Sequence, residues 1–173
     1  VQLWDEASGR VAAWRSIPAD RAATVPGTEA GIAAGIYAPP ADPLWRDAWA
    51  VTEALVQAIA TATRDRGAAF AIAVLSNGIQ VDPDPAKRAA YAAALGVEDL
   101  LWPDRQVAGW ADRLGVPHVL LVPELADWAE AHRTCVHGFD NATPCGGHWN
   151  EHGHRLAGER IAKMVCAAVA GGG

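Results

Sequence analysis

Apolar residues follow two patterns along this chain, one typical of helices and one typical of buried strands. Directly after Asp42, the segment 43–67 carries apolar side chains every three to four positions, which predicts a long amphipathic helix. The segments 69–75 and 116–122 are short continuous apolar runs, which predict buried strands. Further helices are predicted over 82–96, over 104–115 with Asp104 as the N-cap, from Pro123 onward and over 150–166. Strands that alternate with helices favour an α/β fold with a parallel sheet.

The N-terminal part of the chain follows neither pattern. Residues 1–44 are rich in proline and predict an irregular surface excursion, whereas 45–170 predict part of a single α/β domain. The segment 31–37 offers at most a third strand. Two or three strands are fewer than an ordinary doubly wound sheet contains, so we expect an incomplete sheet. The chain begins with Val1 rather than methionine, and we expect its native start to lie further upstream.

Composition narrows the range of partners. The net charge is −6, and no cluster of lysine or arginine is present, which argues against a nucleic-acid-binding surface. No apolar run reaches the roughly 18 residues that a membrane span requires. A hydrophobic content of 51% with 20% charged residues is typical of a globular domain.

The cysteines leave the cellular compartment open. Cys135 and Cys145 flank one short loop, and a disulfide between them would suit an exported or periplasmic protein. Sequence alone does not fix that pairing. Cys166 falls on the apolar face of the last helix, where a buried thiol is expected.

The chemistry of the chain is concentrated near its C-terminal helix. His148 lies on a glycine loop two residues before Asn150, a residue type that caps helices well. A histidine held beside a helix start on an accessible loop is well placed to act as a general base. Ser76 is the best nucleophile candidate, because it directly follows a predicted strand, although a serine that stabilises a turn has the same pattern. His137 either lines the same cleft or braces the loop.

A metal site is a competing interpretation of the same stretch. Cys145, His148, His152 and His154 are zinc-ligand types within ten positions. A helix that begins near Asn150 would place the last two histidines about 200° apart, which opposes a common ligand sphere.

The run His148-x-Asn150-x-x-Gly153-His154 resembles the last conserved block of the SGNH (GDSL-type) hydrolases. Supporting resemblances lie at 45–52, 80–83, 102–105, 114–117 and 137–139. The resemblance implies a flavodoxin-like three-layer α/β/α sandwich that lacks its N-terminal strands. It also implies that His148 is the general base for a serine not present in this chain, because the family's Gly-Asp-Ser block does not occur here.

The chain departs from the family pattern at the orienting acid. Family members commonly carry an aspartate three residues before the histidine, and Cys145 occupies that position here. The acid must then come from elsewhere, with Asp140 as the nearest candidate and Asp104 and Glu151 as weaker ones, or the site works as a dyad.

The resemblance predicts a serine-dependent ester hydrolase or O-acyl transferase that acts on a small-molecule or glycan ester without a metal or organic cofactor. The alternative is a catalytically dead relative that binds a glycan or a partner through the same cleft. No nucleic acid and no membrane span are expected, and the oligomeric state stays open.

Overall fold

The computed structural model describes residues 32–139 and 144–171. Within these ranges, strands β1 (Ile72–Val74) and β2 (His118–Leu120) form a parallel pair, with Ile72 opposite His118 and Val74 opposite Leu120. Helices make up most of the remainder, so the predicted α/β class with a parallel sheet is confirmed at this level. The strands are shorter than the apolar runs that predicted them, with three paired residues in each.

Helices precede, separate and follow the strands. They are α1 (Pro43–Arg64), α2 (Pro85–Leu95), α3 (Trp102–Leu114), α4 (Val122–His132) and α5 (Glu151–Gly171). Short 3-10 helices cover Ala34–Tyr37 and Gly78–Val81. In the part of the chain that the structure describes, no helix is both long and apolar enough to cross a lipid bilayer.

Local sequence signals fix several helix ends. Asp42 accepts the backbone N–H of Trp45 at 3.0 Å and so caps α1. Asp84 caps α2 in the same way, and Gly96 ends that helix in the left-handed conformation that glycine adopts without strain. The start of α1 after Asp42 and the end of α2 at Gly96 agree with the predicted bounds, whereas α1 ends at Arg64 and α2 begins at Pro85, each three residues inside the predicted range. Cap residues act through contacts only a few positions away, which is why such ends are visible in the sequence.

The main core lies between the sheet and helices α4 and α5. It is formed by buried aliphatic residues of β2, α4, α5, the 3-10 helix after β1 and the segments on either side of α4, namely Val81, Val119, Leu121, Val122, Leu125, Ala129, Val136, Leu156 and Ala157. Helix α3 contacts both strands, and α5 contacts β2. The core therefore anchors α5, whose first residue lies just beyond the loop that carries His148.

Three local predictions from the sequence were wrong. The proposed third strand over 31–37 is a 3-10 helix from Ala34 to Tyr37, and Tyr37 is buried, so this part of the predicted surface excursion is core. Asp104 does not cap α3, because the helix begins two residues earlier and the carboxyl group lies inside its first turn. Cys166 is exposed rather than buried. The predictions for residues 1–31 lie outside the described residues.

The apolar stripe of α1 is only partly covered. Trp49 packs against Trp102 and Trp110 of α3, with ring centroids 4.8 and 5.6 Å apart. Further along the helix, Leu55 and Ile59 are 58% and 53% exposed. The helical periodicity thus predicted the helix correctly, but part of its apolar stripe is not covered by the described residues.

Gly153, in the first turn of α5, lies in close contact with the preceding loop. A Cβ atom at this position would overlap the carbonyl oxygen of Val136 and the side chain of Trp149. Gly158, one turn and a half further on, faces open space. The pair allows the cost of crowding at the loop to be separated from the general effect of alanine in a helix.

We expect Gly153→Ala to lower the free energy of unfolding by about 1–3 kcal/mol, the usual cost of overpacking. Gly158→Ala should raise it by up to about 1 kcal/mol, because alanine restricts the unfolded chain and favours the helix. Urea denaturation of both variants measures the difference. Equal effects of the two substitutions would contradict the close approach at Gly153.

Candidate functional site

The loop between α4 and α5 is closed at its base by covalent and backbone contacts. Cys135 and Cys145 are bonded to each other, with their Cα atoms 5.0 Å apart. An antiparallel bridge pairs His137 with Trp149, and the N–H of Gly138 donates to the carbonyl oxygen of His148 at 2.9 Å. The loop ends are therefore held together on both sides of His148 before α5 begins.

Asn150 joins this loop to α5, as its position before the helix predicted. Its side-chain oxygen accepts the N–H groups of His152 and Gly153 at 3.0 and 3.2 Å, which satisfies free donors of the first helical turn. Its side-chain nitrogen donates to the carbonyl oxygen of Cys135 at 2.7 Å. One amide thus caps the helix and ties it to the opposite side of the loop.

The turn after β1 lies against the same loop. A Cβ atom on Gly78 would overlap the carbonyl oxygen of Cys145, so only glycine allows this approach. Cys145 itself has a φ of 61°, a conformation that residues with a side chain seldom adopt. The sequence Ser76-Asn77-Gly78 therefore places the carboxyl end of β1 in direct contact with the loop.

Ser76 is the centre of a buried hydrogen-bond network at this contact. Its Oγ lies 2.9 Å from Nε2 of His137, and the indole N–H of Trp149 donates to the same Oγ at 2.9 Å. Nδ1 of His137 lies 2.6 Å from the carbonyl oxygen of Gly147. Ser76 and His137 are only 7% and 5% exposed. We call these three side chains, Ser76, His137 and Trp149, the Ser76 network.

The chemistry of the partners assigns the protons. The carbonyl oxygen of Gly147 can only accept, so Nδ1 of His137 carries the hydrogen. In the neutral ring Nε2 is then an acceptor, and the Ser76 hydroxyl donates to it. The serine oxygen in turn accepts from Trp149. Every polar atom in this chain of contacts has a partner, and leaving one unpaired in this buried setting would cost about 1–3 kcal/mol.

His148 lies beside the network but outside it. Its imidazole is exposed and makes no hydrogen bond with any of the described residues. The residues on either side are both engaged, Gly147 through its carbonyl and Trp149 through its indole. The loop thus presents an accessible histidine on a backbone that is fixed on both sides.

The candidate orienting acids are not brought to His148 in the described part of the structure. Asp140, the first choice, lies outside the described residues. The Glu151 carboxylate lies 3.8 Å from Nε2 of His152, and Asp104 accepts a hydrogen bond from Gln80 at 2.9 Å. Neither of these weaker candidates contacts His148.

The metal interpretation loses one ligand, because the Cys145 sulfur is bonded to Cys135. Among the residues that the structure describes, no group of three or more histidine, cysteine or acidic side chains is arranged to hold a metal ion. His154 instead packs edge-on against Trp149, with ring centroids 5.8 Å apart.

The hydrogen bond between Ser76 and His137 was not predicted from the sequence. Each residue was a separate candidate, and the two are 61 positions apart. A serine after a strand and a histidine opening a glycine loop were the available signals, and each has common structural explanations. Only the packing of the loop on the turn after β1 brings them together.

Comparisons with protein-family models, curated proteins and solved structures found no match to this chain.

The tautomer of His137 can be measured directly. We expect the neutral form of the ring to carry its hydrogen on Nδ1, because Gly147 accepts there and Ser76 donates to Nε2. Long-range 15N–1H correlation spectra of 15N-histidine-labelled protein report the two nitrogens, and loss of the signal in His137→Asn assigns it. A hydrogen found on Nε2 would contradict the assigned network.

Asp104 is a buried carboxyl group near the turn after β1. It is 2% exposed, and its Oδ1 has no hydrogen-bond partner among the described residues. Removal from water raises the pKa of Asp104 to about 6, and the hydrogen bond from Gln80 offsets this only in part. The folded protein therefore holds a proton here at pH values where an unfolded aspartate, with a pKa near 3.9, has lost it.

This pKa difference predicts that the stability contribution of Asp104 falls as the pH rises from about 4 to about 6. The unfolded chain releases the proton first, so deprotonation favours unfolding, by about 3 kcal/mol at most. Urea denaturation of the wild type and of Asp104→Asn across pH 4–7 tests this. The wild type should lose stability relative to the variant, and a constant difference would contradict the raised pKa.

Proposed function

We propose that this protein is a serine-dependent ester hydrolase or O-acyl transferase of the SGNH type, with His148 as its general base. The observation that supports the proposal most is the placement of His148. It is an exposed histidine on a loop packed against the carboxyl end of β1, and ligand clefts of parallel α/β proteins open at the carboxyl ends of strands. The resemblance of its surrounding motif to the SGNH histidine block agrees with that placement.

In the proposed fold, a flavodoxin-like three-layer α/β/α sandwich, β1 and β2 are two neighbouring strands of a larger parallel sheet. The chain has a single serine in its described part, Ser76, and its side chain is buried and engaged on two sides. The proposed nucleophile is a serine not present in this chain, because the family's Gly-Asp-Ser block does not occur here.

Each half of the reaction has two proton transfers. The serine oxygen attacks the acyl carbonyl carbon while its proton passes to the free imidazole nitrogen of His148. Collapse of the tetrahedral intermediate breaks the bond to the alcohol oxygen, which takes the proton back from His148. Water, or a second alcohol in the transferase case, then repeats the sequence on the acyl-enzyme. Asp140 remains the proposed orienting acid for the imidazole.

The substrate class is an O-acyl ester of a sugar or a lipid, and no metal or organic cofactor is required for this chemistry. The bonded cysteine pair at 135 and 145 favours an oxidising compartment, because disulfides persist in exported proteins and are rare in the cytosol. We therefore include an exported or periplasmic location in the proposal.

One observation favours a second candidate function. The burial of Ser76 within its hydrogen-bond network leaves the described residues without an accessible serine nucleophile. A catalytically dead relative that binds a glycan or a partner through the cleft would have this property.

The full-length native protein distinguishes the two candidates. A fluorophosphonate probe should label a serine, and His148→Ala should slow labelling by about 100-fold or more, the usual contribution of a general base. His132→Ala, which removes another exposed histidine, serves as the control and should label at the wild-type rate. Absence of labelling in the wild type would favour the binding module, and unchanged labelling in His148→Ala would contradict the role of the histidine.

A further inference from the structure

The Ser76 network connects the end of β1 with both halves of the loop that carries His148. The hydroxyl donates to His137 on the first half of the loop and accepts from Trp149 on the second half. These two residues are also the pair joined by the antiparallel backbone bridge. One small side chain thus contacts both halves of the loop at the point where they are paired.

These contacts constrain the backbone of His148 more than its ring. The residue before it, Gly147, is held through its carbonyl by His137, and the residue after it, Trp149, is held by Ser76. The carbonyl of His148 itself accepts from Gly138. The imidazole has no hydrogen-bond partner among the described residues, so its position is set by the backbone that carries it.

The same contacts make Ser76 unsuitable as a nucleophile. The contact with Nε2 of His137 is also one that an activated serine makes, so it does not decide the matter. The oxygen, however, already accepts from the Trp149 indole, and only 7% of the residue is exposed. A hydroxyl that must attack an ester needs an open approach to its oxygen. The geometry fits a residue that positions another group.

We infer that Ser76 is a positioning residue for His148, acting through His137 and Trp149. This inference rests on the proposed function for its catalytic meaning. Loss of the hydroxyl would leave the loop covalently closed by its disulfide but free to shift relative to β1. Displacement of a catalytic group by about 1 Å can reduce a rate by roughly 100-fold.

The test is a double-mutant cycle in the full-length protein. Ser76→Ala removes the hydroxyl, and Trp149→Phe removes only the indole donor. With p-nitrophenyl acetate as substrate, each variant should lower kcat by about 10- to 100-fold and change KM by less than about threefold, because the base moves while the binding surface remains. The kcat of the double variant should equal that of the less active single variant, since both changes break the same connection between β1 and the loop.

Two further variants separate positioning from general destabilisation. Ser76→Thr keeps the hydroxyl and should recover most of the activity lost in Ser76→Ala. Thr52→Val removes an exposed hydroxyl that bonds within α1, and it should leave kcat unchanged. Losses in kcat that multiply in the double variant, or an unchanged kcat in Ser76→Ala, would overturn the inference. A covalent fluorophosphonate adduct on Ser76 would also overturn it, because the residue would then be a nucleophile.

Amide hydrogen exchange does not depend on enzyme activity, so it tests the positioning role of Ser76 separately from the proposed hydrolase function. The amide hydrogens of Gly138 and Asn150 donate across the loop bridge, and Ser76→Ala should speed their exchange with deuterium at least about 10-fold while those of α2 are unchanged. Unchanged exchange at both amides would refute the positioning role even if the wild type proves inactive. An inactive wild type with faster exchange in the variant would refute the proposed function alone.

Discussion

The hydrogen bonds of one buried hydroxyl group connect the sheet to both halves of the loop before α5. Ser76 lies just after the carboxyl end of β1, where its side chain is buried. A buried hydroxyl group is costly unless it forms hydrogen bonds within the protein. The hydroxyl group forms hydrogen bonds with His137 and Trp149, which lie on the two halves of the loop before α5. Each partner is itself buried or half-buried, and loss of the hydroxyl would remove one hydrogen bond from each of them.

Backbone geometry makes that network possible. The turn after β1 reaches the loop only because Gly78 lacks a side chain, and α5 reaches it from the other side because Gly153 does as well. Asn150 then satisfies donors of the helix and a carbonyl of the loop with the same amide. The site therefore depends on close backbone approaches at these two glycines.

The sequence predicted the parts of the fold that depend on neighbouring residues. Asp84, Gly96 and Asn150 mark helix ends correctly, because a cap acts on backbone groups within one turn. The short apolar runs predicted both strands and their parallel arrangement. The exposure of Cys166 was not predictable in the same way, since periodicity shows that a helix has an apolar face but not whether another element covers it.

The candidate site was predictable only in its separate pieces. His148 and its glycine loop are visible in the sequence, and so is a serine after a strand. The pairing of Ser76 with His137 was not, because it depends on packing between segments 61 positions apart. Asp104 shows the same limit: the sequence predicted it as the N-cap of α3, whereas the helix begins at Trp102 and the carboxyl group is buried in contact with Gln80.

The parallel pairing of β1 and β2 has a consequence for how the chain folds. The strands are separated in sequence by two complete helices, so their alignment requires closure of a long segment, whereas α2 and α3 form from local contacts. The contact between Ser76 and His137 spans a still longer segment and requires the end of β1 to be in place. During folding we therefore expect the helices to form early and the surroundings of His148 to acquire their final geometry among the last steps. A newly made chain would then be compact before its histidine loop is ordered.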